Sequence, residues 1–405
     1  MVANAEYAKK MQYRAQHQHD PNKTTDIFDG EHYQSLKTTP VSVVDETLPF
    51  CHFSDNCDIA LGLSTDGFGP FKRRNKTAWP LVLFNYNLPP EERFLKRNVV
   101  SVGVIPGPKK PHDFDSFLWP LVQEFLQLAI GVSAFDGISK FMFLLHVYLI
   151  VVFGDIPAVS MVMRMKGQNG YSPCRMCEIK GIHGPDGSGN TYYIPLNREH
   201  FADNAGWSHY DPRDLPLRTH PRFIWQAKQV QNASTNQDSE KLAKQFGIKG
   251  IPLLSCLSSL SFPASFPYDF MHLIWANLIR NLIQLWTGTF KNLDHNDKEY
   301  VFANKVWEKI GEETAHAGQH IPASFGLRVP NIADEKSHMT CETYSIWTLL
   351  WAPIILRDRF IHIRYYNHFC RLVELLSICL QYEIETEQIE ELEEGFIKWV
   401  EDYEQ

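Results

Sequence analysis

A mixed α/β fold, a sheet flanked by helices, is predicted by the order of the apolar runs, by one amphipathic helix between them, and by two aspartates at strand ends. Ile59 to Leu63, Leu81 to Tyr86 and Val99 to Ile105 are short apolar or β-branched runs. Gly, Pro and Asn separate them, as in an antiparallel meander. From Asp113 to Ile130 apolar residues recur at Phe114, Phe117, Leu121, Phe125 and Leu128, spacings of three and four that predict a helix. A fourth strand lies within Phe141 to Phe153. Asp66 follows the first strand and Asp155 the fourth. Strand, strand, strand, helix, strand, with acids on the first and fourth strands, is the order of an RNase H-like core.

With 405 residues the chain holds one large domain with an insertion, or two to three ordinary ones. A hydrophobic fraction of 44% and an aromatic fraction of 13% exclude disorder over most of the length. The longest apolar run, Phe141 to Phe153, falls short of the roughly 20 residues that span a bilayer. Met1 to Lys10 has no apolar leader core, so an intracellular location is expected. The net charge of −8 is concentrated at one end: Glu383 to Gln405 holds ten acids and one lysine, net −9, which leaves +1 for the preceding residues. A nearly neutral body with local basic clusters is compatible with a nucleic-acid partner. Of the eight cysteines only Cys174 and Cys177 form a CxxC pair, which argues for metal or redox chemistry and against a disulfide scaffold.

Five stretches are expected. Residues 1–40 are a polar segment, loosely ordered apart from Ile27 to Tyr33, and 41–166 hold the first part of the catalytic core. Residues 167–335 form a zinc-type loop and a long, mostly helical insertion. Residues 336–382 return to the core, and 383–405 are an acidic amphipathic tail helix. Ala158 to Met165 reads as a short helix, and Phe270 to Trp286, apolar nearly all round, as a buried one. In the tail, Ile389, Leu392, Phe396 and Trp399 form a stripe expected to dock on its own domain.

The chemistry rests on three acids: Asp66 in Leu63-Ser-Thr-Asp66-Gly-Phe68, Asp155 in Val152-Phe-Gly-Asp155-Ile-Pro157, and Glu342 at the start of the Trp-rich stretch to Trp351. One aspartate at a strand end is usually a cap or turn residue. Three acids converging would suit a hard divalent cation, which takes a few carboxylates and leaves room for phosphate oxygens. Two such ions about 4 Å apart clamp both oxygens of an in-line phosphoryl displacement. Glycine follows Asp66 and precedes Asp155, which permits close approach of backbone or ligand.

Tyr171-Ser-Pro-Cys174-Arg-Met-Cys177 supplies two thiolates at the spacing of a zinc half-site, and two more ligands are then needed. His316, His320, His183 and His272 are the candidates, with a metal-free thiol pair or a redox pair as alternatives. Asp269 reads as the N-cap of the following helix, and His272 as a ligand, an orienting group or a core histidine. Lys72, Arg73, Arg74 and Lys76, Lys96 and Arg97, and Lys109 and Lys110 flank the strands near Asp66. They are either solvated loop charge or phosphate contacts.

Asp66-Gly-Phe, Gly-Asp155-Ile-Pro-Ala, Gly170 to Cys177, Tyr268-Asp-Phe-Met-His-Leu273 and Thr340-Cys-Glu-Thr-Tyr-Ser-Ile-Trp347 together resemble transposases of the CACTA type, in particular the Tnp2-like or Plavaka group of fungal elements. The resemblance runs from about Phe28 to about Arg359. It implies a DDE transposase on an RNase H-like fold, with Asp66, Asp155 and Glu342 as catalytic ligands of Mg²⁺ or Mn²⁺. The CxxC follows the second acid as it does in the related V(D)J recombinase, where a later histidine pair completes a zinc site. That similarity favours His316 and His320 as partners of Cys174 and Cys177 for a structural Zn²⁺. The implied reaction is hydrolysis and strand transfer at the ends of a cut-and-paste element, on double-stranded DNA, by a homodimer in the nucleus. Lys72, Arg73, Arg74 and Lys76 would grip phosphates. Relatives usually begin with a DNA-binding segment, so the short polar start is read as a truncated copy. A transposon-derived binding protein without catalysis is the main alternative. An RNase H-like nuclease is the other, disfavoured by the insertion and the CxxC.

Overall fold

Strand β1 (Ile59–Thr65) is buried along nearly its whole length, as is β4 (Val147–Phe153). Unbroken apolar runs are what strands covered on both faces require. In the computed structural model, residues 1–69, 77–107, 111, 113–183, 192–197, 209–290, 298–334 and 338–405 are described. They form two compact units, Met1–Tyr268 and Asp269–Gln405.

In the first unit β2 (Ala78–Asn85) alternates between fully and half-buried positions, and β3 (Val100–Pro106) is the more exposed edge. The sheet order is β3-β2-β1-β4. β1 and β3 run antiparallel to β2, whereas β1 and β4 are parallel. A parallel pair needs a crossover, and α1 (Asp115–Ile130) lies within it. The expected strand and helix order is therefore present in a mixed sheet.

Three details differ from expectation. The helix buries Phe114, Leu118, Val122, Phe125 and Ala129, while Phe117 is exposed. Both stripes keep spacings of three and four, and the sheet selects the one rotated by a residue. The run Phe141 to Phe153 is two strands, because Met142–Leu145 pairs with Val132–Phe135 as a separate hairpin. The break falls at His146, whose Nδ1 lies 3.0 Å from Asp58 Oδ1 in the interior. Third, the polar amino-terminal segment is ordered, with helices Ala5–Met11, Tyr13–Gln16 and Glu31–Leu36. Met11, Phe28, Tyr33 and Leu36 are buried there. Its polar residues are internal partners: Arg14 bonds Asp58 O, Tyr33 Oη and Asp55 O, and Asp26 pairs with Arg93 at 2.8 Å.

After α2 (Ile156–Val162), α3 (His220–Gln231) and α4 (Asn236–Phe246) complete this unit. Phe223, Ala227, Phe262 and Phe266 join Leu63, Leu118 and Val159 in one core. The stretch expected as one insertion, 167–335, is thus divided at Tyr268, and its first half belongs with the sheet.

The second unit is helical. Met271–Ile279 is a π-helix that continues as α5 (Arg280–Trp286). Ile274, Trp275, Ile279, Leu282, Ile283 and Trp286 face inward, but Met271 and Leu273 are exposed, so this helix is not buried all round. Asp269 Oδ1 accepts the His272 amide at 2.9 Å, the expected capping role. α6 (Asn304–Ala317), α7 (Cys341–Ile346) and α8 (Ile363–Cys379) follow. The tail helix α9 (Thr386–Glu404) docks on α8. Trp399 stacks on His368 with centroids 4.5 Å apart, and its Nε1 donates to His368 O at 3.0 Å. Among the described residues no helix is long and apolar enough to cross a membrane.

Candidate active site

In the parallel pair Ser64 lies opposite Phe153. Asp66 and Asp155 each stand two residues further on, at matching places beyond the carboxyl ends of adjacent strands. Both are half-buried. The strand ends are in backbone contact, since a Cβ on Gly154 would overlap Thr65 O. Gly67 is required by a different neighbour, the Trp79 ring, which a Cβ there would meet at 2.5 Å. The glycines beside the two acids are therefore explained by close packing.

Asp155 has a second task. It is the N-cap of α2 and its Oδ1 accepts the Ala158 amide at 2.6 Å. Pro157 in the first turn needs no donor there. One carboxylate oxygen is thereby committed to the helix.

Beyond Asp66, Phe68 and Ala78 exchange backbone bonds at 3.1 and 2.9 Å. Lys72, Arg73, Arg74 and Lys76 lie outside the described residues, as do Lys109 and Lys110. Lys96 and Arg97 are exposed, and Arg97 Nη2 is 3.8 Å from Glu92 Oε2.

Glu342 belongs to the second unit, exposed in the first turn of α7. Thr340 and Thr343 form a capping box that fixes this turn, and a helix amino terminus favours a carboxylate. One turn on, Trp347 is fully buried and donates from Nε1 to Thr314 Oγ1 at 3.1 Å, which anchors the helix.

The CxxC loop is in the first unit. Cys174 Sγ accepts the Met176 and Cys177 amides at 3.3 and 3.4 Å and lies 3.4 Å from Tyr268 Oη. A hydrogen bond from Cys177, against the effect of burial and aided by Tyr268, holds the Cys174 thiol well below its ordinary range. The same bond and burial push Cys177 up. Two buried arginines that the sequence did not single out support the loop. Arg218 donates to Cys174 O at 3.1 Å, and Arg175 lies over the Tyr268 ring at 4.1 Å. The position of Arg175 between the cysteines was the available signal.

His316 and His320, in the second unit, have ring centroids 5.0 Å apart and are exposed. His272 Nδ1 is 3.3 Å from Asp269 Oδ1, a local partner. His183 is on the short strand Ile182–His183, and its side chain is outside the described part. Among the described residues no group of three or more His, Cys, Asp or Glu is gathered to hold a metal ion. Each predicted set of ligands is distributed over both units, with Asp66, Asp155, Cys174 and Cys177 in the first and Glu342, His316 and His320 in the second.

No curated protein matches the chain. A family model does match residues 43–224, a little under half of the chain, and this stretch includes Asp66, Asp155, Cys174 and Cys177 but not Glu342. That model describes the transposase family tnp2, and the match supports a transposase family for this protein.

Proposed function

We propose that the protein is a DDE-type DNA transposase of a cut-and-paste element, of the CACTA or Plavaka kind, with an RNase H-like core in its first unit. The observation that carries this reading is the register of β1 and β4, in which Ser64 lies opposite Phe153 and Asp66 and Asp155 follow, each two residues on, past the strand ends. The strand order with α1 in the crossover and the tnp2 match support it. Glu342 is proposed as the third carboxylate.

Half-buried carboxylates on adjacent strand ends are hard oxygen donors and fit Mg²⁺ or Mn²⁺. The cation, when bound, would stabilise negative charge building on the scissile phosphate. The chain's own part is to hold the acids rigidly. The Gly154 contact fixes the strand ends, and the α2 cap fixes the Asp155 rotamer, leaving its second oxygen for the site. Cys174, with two backbone amides on its sulfur, fits a thiolate ligand of structural Zn²⁺. Cys177, His316 and His320 are the proposed remainder. Double-stranded DNA, gripped in part by Lys72, Arg73, Arg74 and Lys76, a homodimer on that DNA and a nuclear location complete the proposal.

Nicking of supercoiled DNA with Mg²⁺ or Mn²⁺, abolished in Asp66→Asn and Glu342→Gln, is the expected result. A folded wild type that binds DNA but never nicks it would sink the catalytic reading. The Asp155 cap favours one alternative, a transposon-derived binding protein in which this acid is structural. There, DNA affinity would survive loss of all three acids unchanged and no cleavage would occur.

A further inference from the structure

The CxxC loop grips the last residues of the first unit. Tyr268 Oη lies 3.4 Å from Cys174 Sγ. Arg175, itself 3% exposed, covers the Tyr268 ring and donates from Nη2 to Pro267 O at 2.8 Å. The loop is in turn tied to the body of the unit. Arg218 donates to Cys174 O, Ser172 O, Phe246 O and Gln226 Oε1, which joins it to α3 and to the end of α4.

Pro267 is exposed and Tyr268 half-buried, directly after the fully buried Phe266. Beyond Phe266, these contacts from the CxxC loop hold Pro267 and Tyr268. We infer that the loop is a catch for this exit segment, with Tyr268 the positioning residue through which the Cys174 sulfur sets how firmly Pro267 and Tyr268 are held. A thiol or thiolate sulfur accepts a phenolic hydrogen bond, and a thiolate does so more strongly. Carbamidomethylation turns that sulfur into a thioether, a weak acceptor, so chemistry at Cys174 is read at the peptide bond after Tyr268. A metal on the thiolate would leave the Tyr268 bond in place as outer-shell support.

The test uses the full chain and reads two rates, chymotryptic cleavage after Tyr268 and hydrogen exchange of the Tyr268 and Asp269 amides. Tyr268→Phe keeps the cleavage site and the ring under Arg175 but loses the hydroxyl. It is expected to raise both rates about fivefold, the worth of one modest hydrogen bond. Cys174→Ala should do the same, and the double variant should be no faster than either single one, because both remove one interaction. Iodoacetamide should reproduce the effect in wild type and add nothing in Tyr268→Phe. Unchanged rates in Tyr268→Phe, or effects that multiply in the double variant, would overturn the inference. If Cys174→Ala fails to fold, the comparison of Tyr268→Phe with wild type, each with and without iodoacetamide, decides alone.

Discussion

The Thr65 carbonyl oxygen occupies the space that a side chain on residue 154 would need, so Gly154 lets the ends of β1 and β4 touch directly ahead of Asp66 and Asp155. The spacing of the two carboxylates is set by backbone against backbone, which has little freedom to relax. A methyl group there must push the strands apart. Gly154→Ala is expected to cost about 1–3 kcal/mol, the usual range for overpacking, and to lower DNA cleavage more than it lowers DNA binding. Urea denaturation and a nicking assay on the same preparation check this; a variant with wild-type stability and activity would show that the contact does not position the acids.

Asp155 joins two functions that substitution can separate. Asparagine keeps an oxygen for the Ala158 amide and is as good a cap as aspartate, whereas alanine forfeits about 1 kcal/mol. Asp155→Asn should therefore unfold at the wild-type urea concentration and Asp155→Ala at a lower one, with cleavage lost in both. Retained cleavage in Asp155→Asn would reduce this residue to a cap.

Stability in acid should depend on Asp29. Burial alone would raise its pKa, but bonds from His17, Thr25 and His19 outweigh burial and hold it well below the carboxylate range. His17 Nε2 and His19 Nδ1 share Asp29 Oδ1 at 2.7 and 3.2 Å, and Thr25 and Asp26 amides reach Oδ2. A depressed carboxylate stabilises the fold above its unfolded pKa of about 4, and this is lost as pH falls through the folded value. Asp58 acts oppositely. Burial raises it despite bonds from Asp55 and His146, so its contribution is present in acid and lost as pH rises through its folded pKa. Asp29→Asn should flatten the fall in urea midpoint below about pH 4 and lower the plateau above it. An unchanged acid slope would contradict the assignment.

The sheet was legible because β1 and β4 are covered on both faces and had to be continuously apolar, while Gly and Pro marked their ends. Asp66 and Asp155 could be placed at those ends for the same reason. The amino-terminal segment misled because Arg14 and Asp26 are polar yet internal, satisfied by partners far away in sequence, and Asp29 is internal too, satisfied by its neighbours from His17 to Asp26. Periodicity could not choose between the two stripes of α1, since Phe117 and Leu118 both continue a three-and-four pattern and only the sheet decides. The Phe270 to Trp286 run looked buried on all sides. The core covers one face of this helix, and Met271 and Leu273 lie on the other. For the site, the spacing of Cys174 and Cys177 announced a sulfur centre, but the support from Arg218 and Tyr268 arrives over separations of 44 and 94 residues that no local pattern reveals.

The central claim is that Asp66 and Asp155 serve one cation site. Mn²⁺ bound to the purified chain, counted by electron paramagnetic resonance in wild type, Asp66→Asn, Asp155→Asn and the double variant, tests it most directly. Wild type is predicted to bind Mn²⁺ tightly, each single variant to lose that binding, and the double variant to lose no more. Tight Mn²⁺ binding that persists unchanged in both single variants would contradict it.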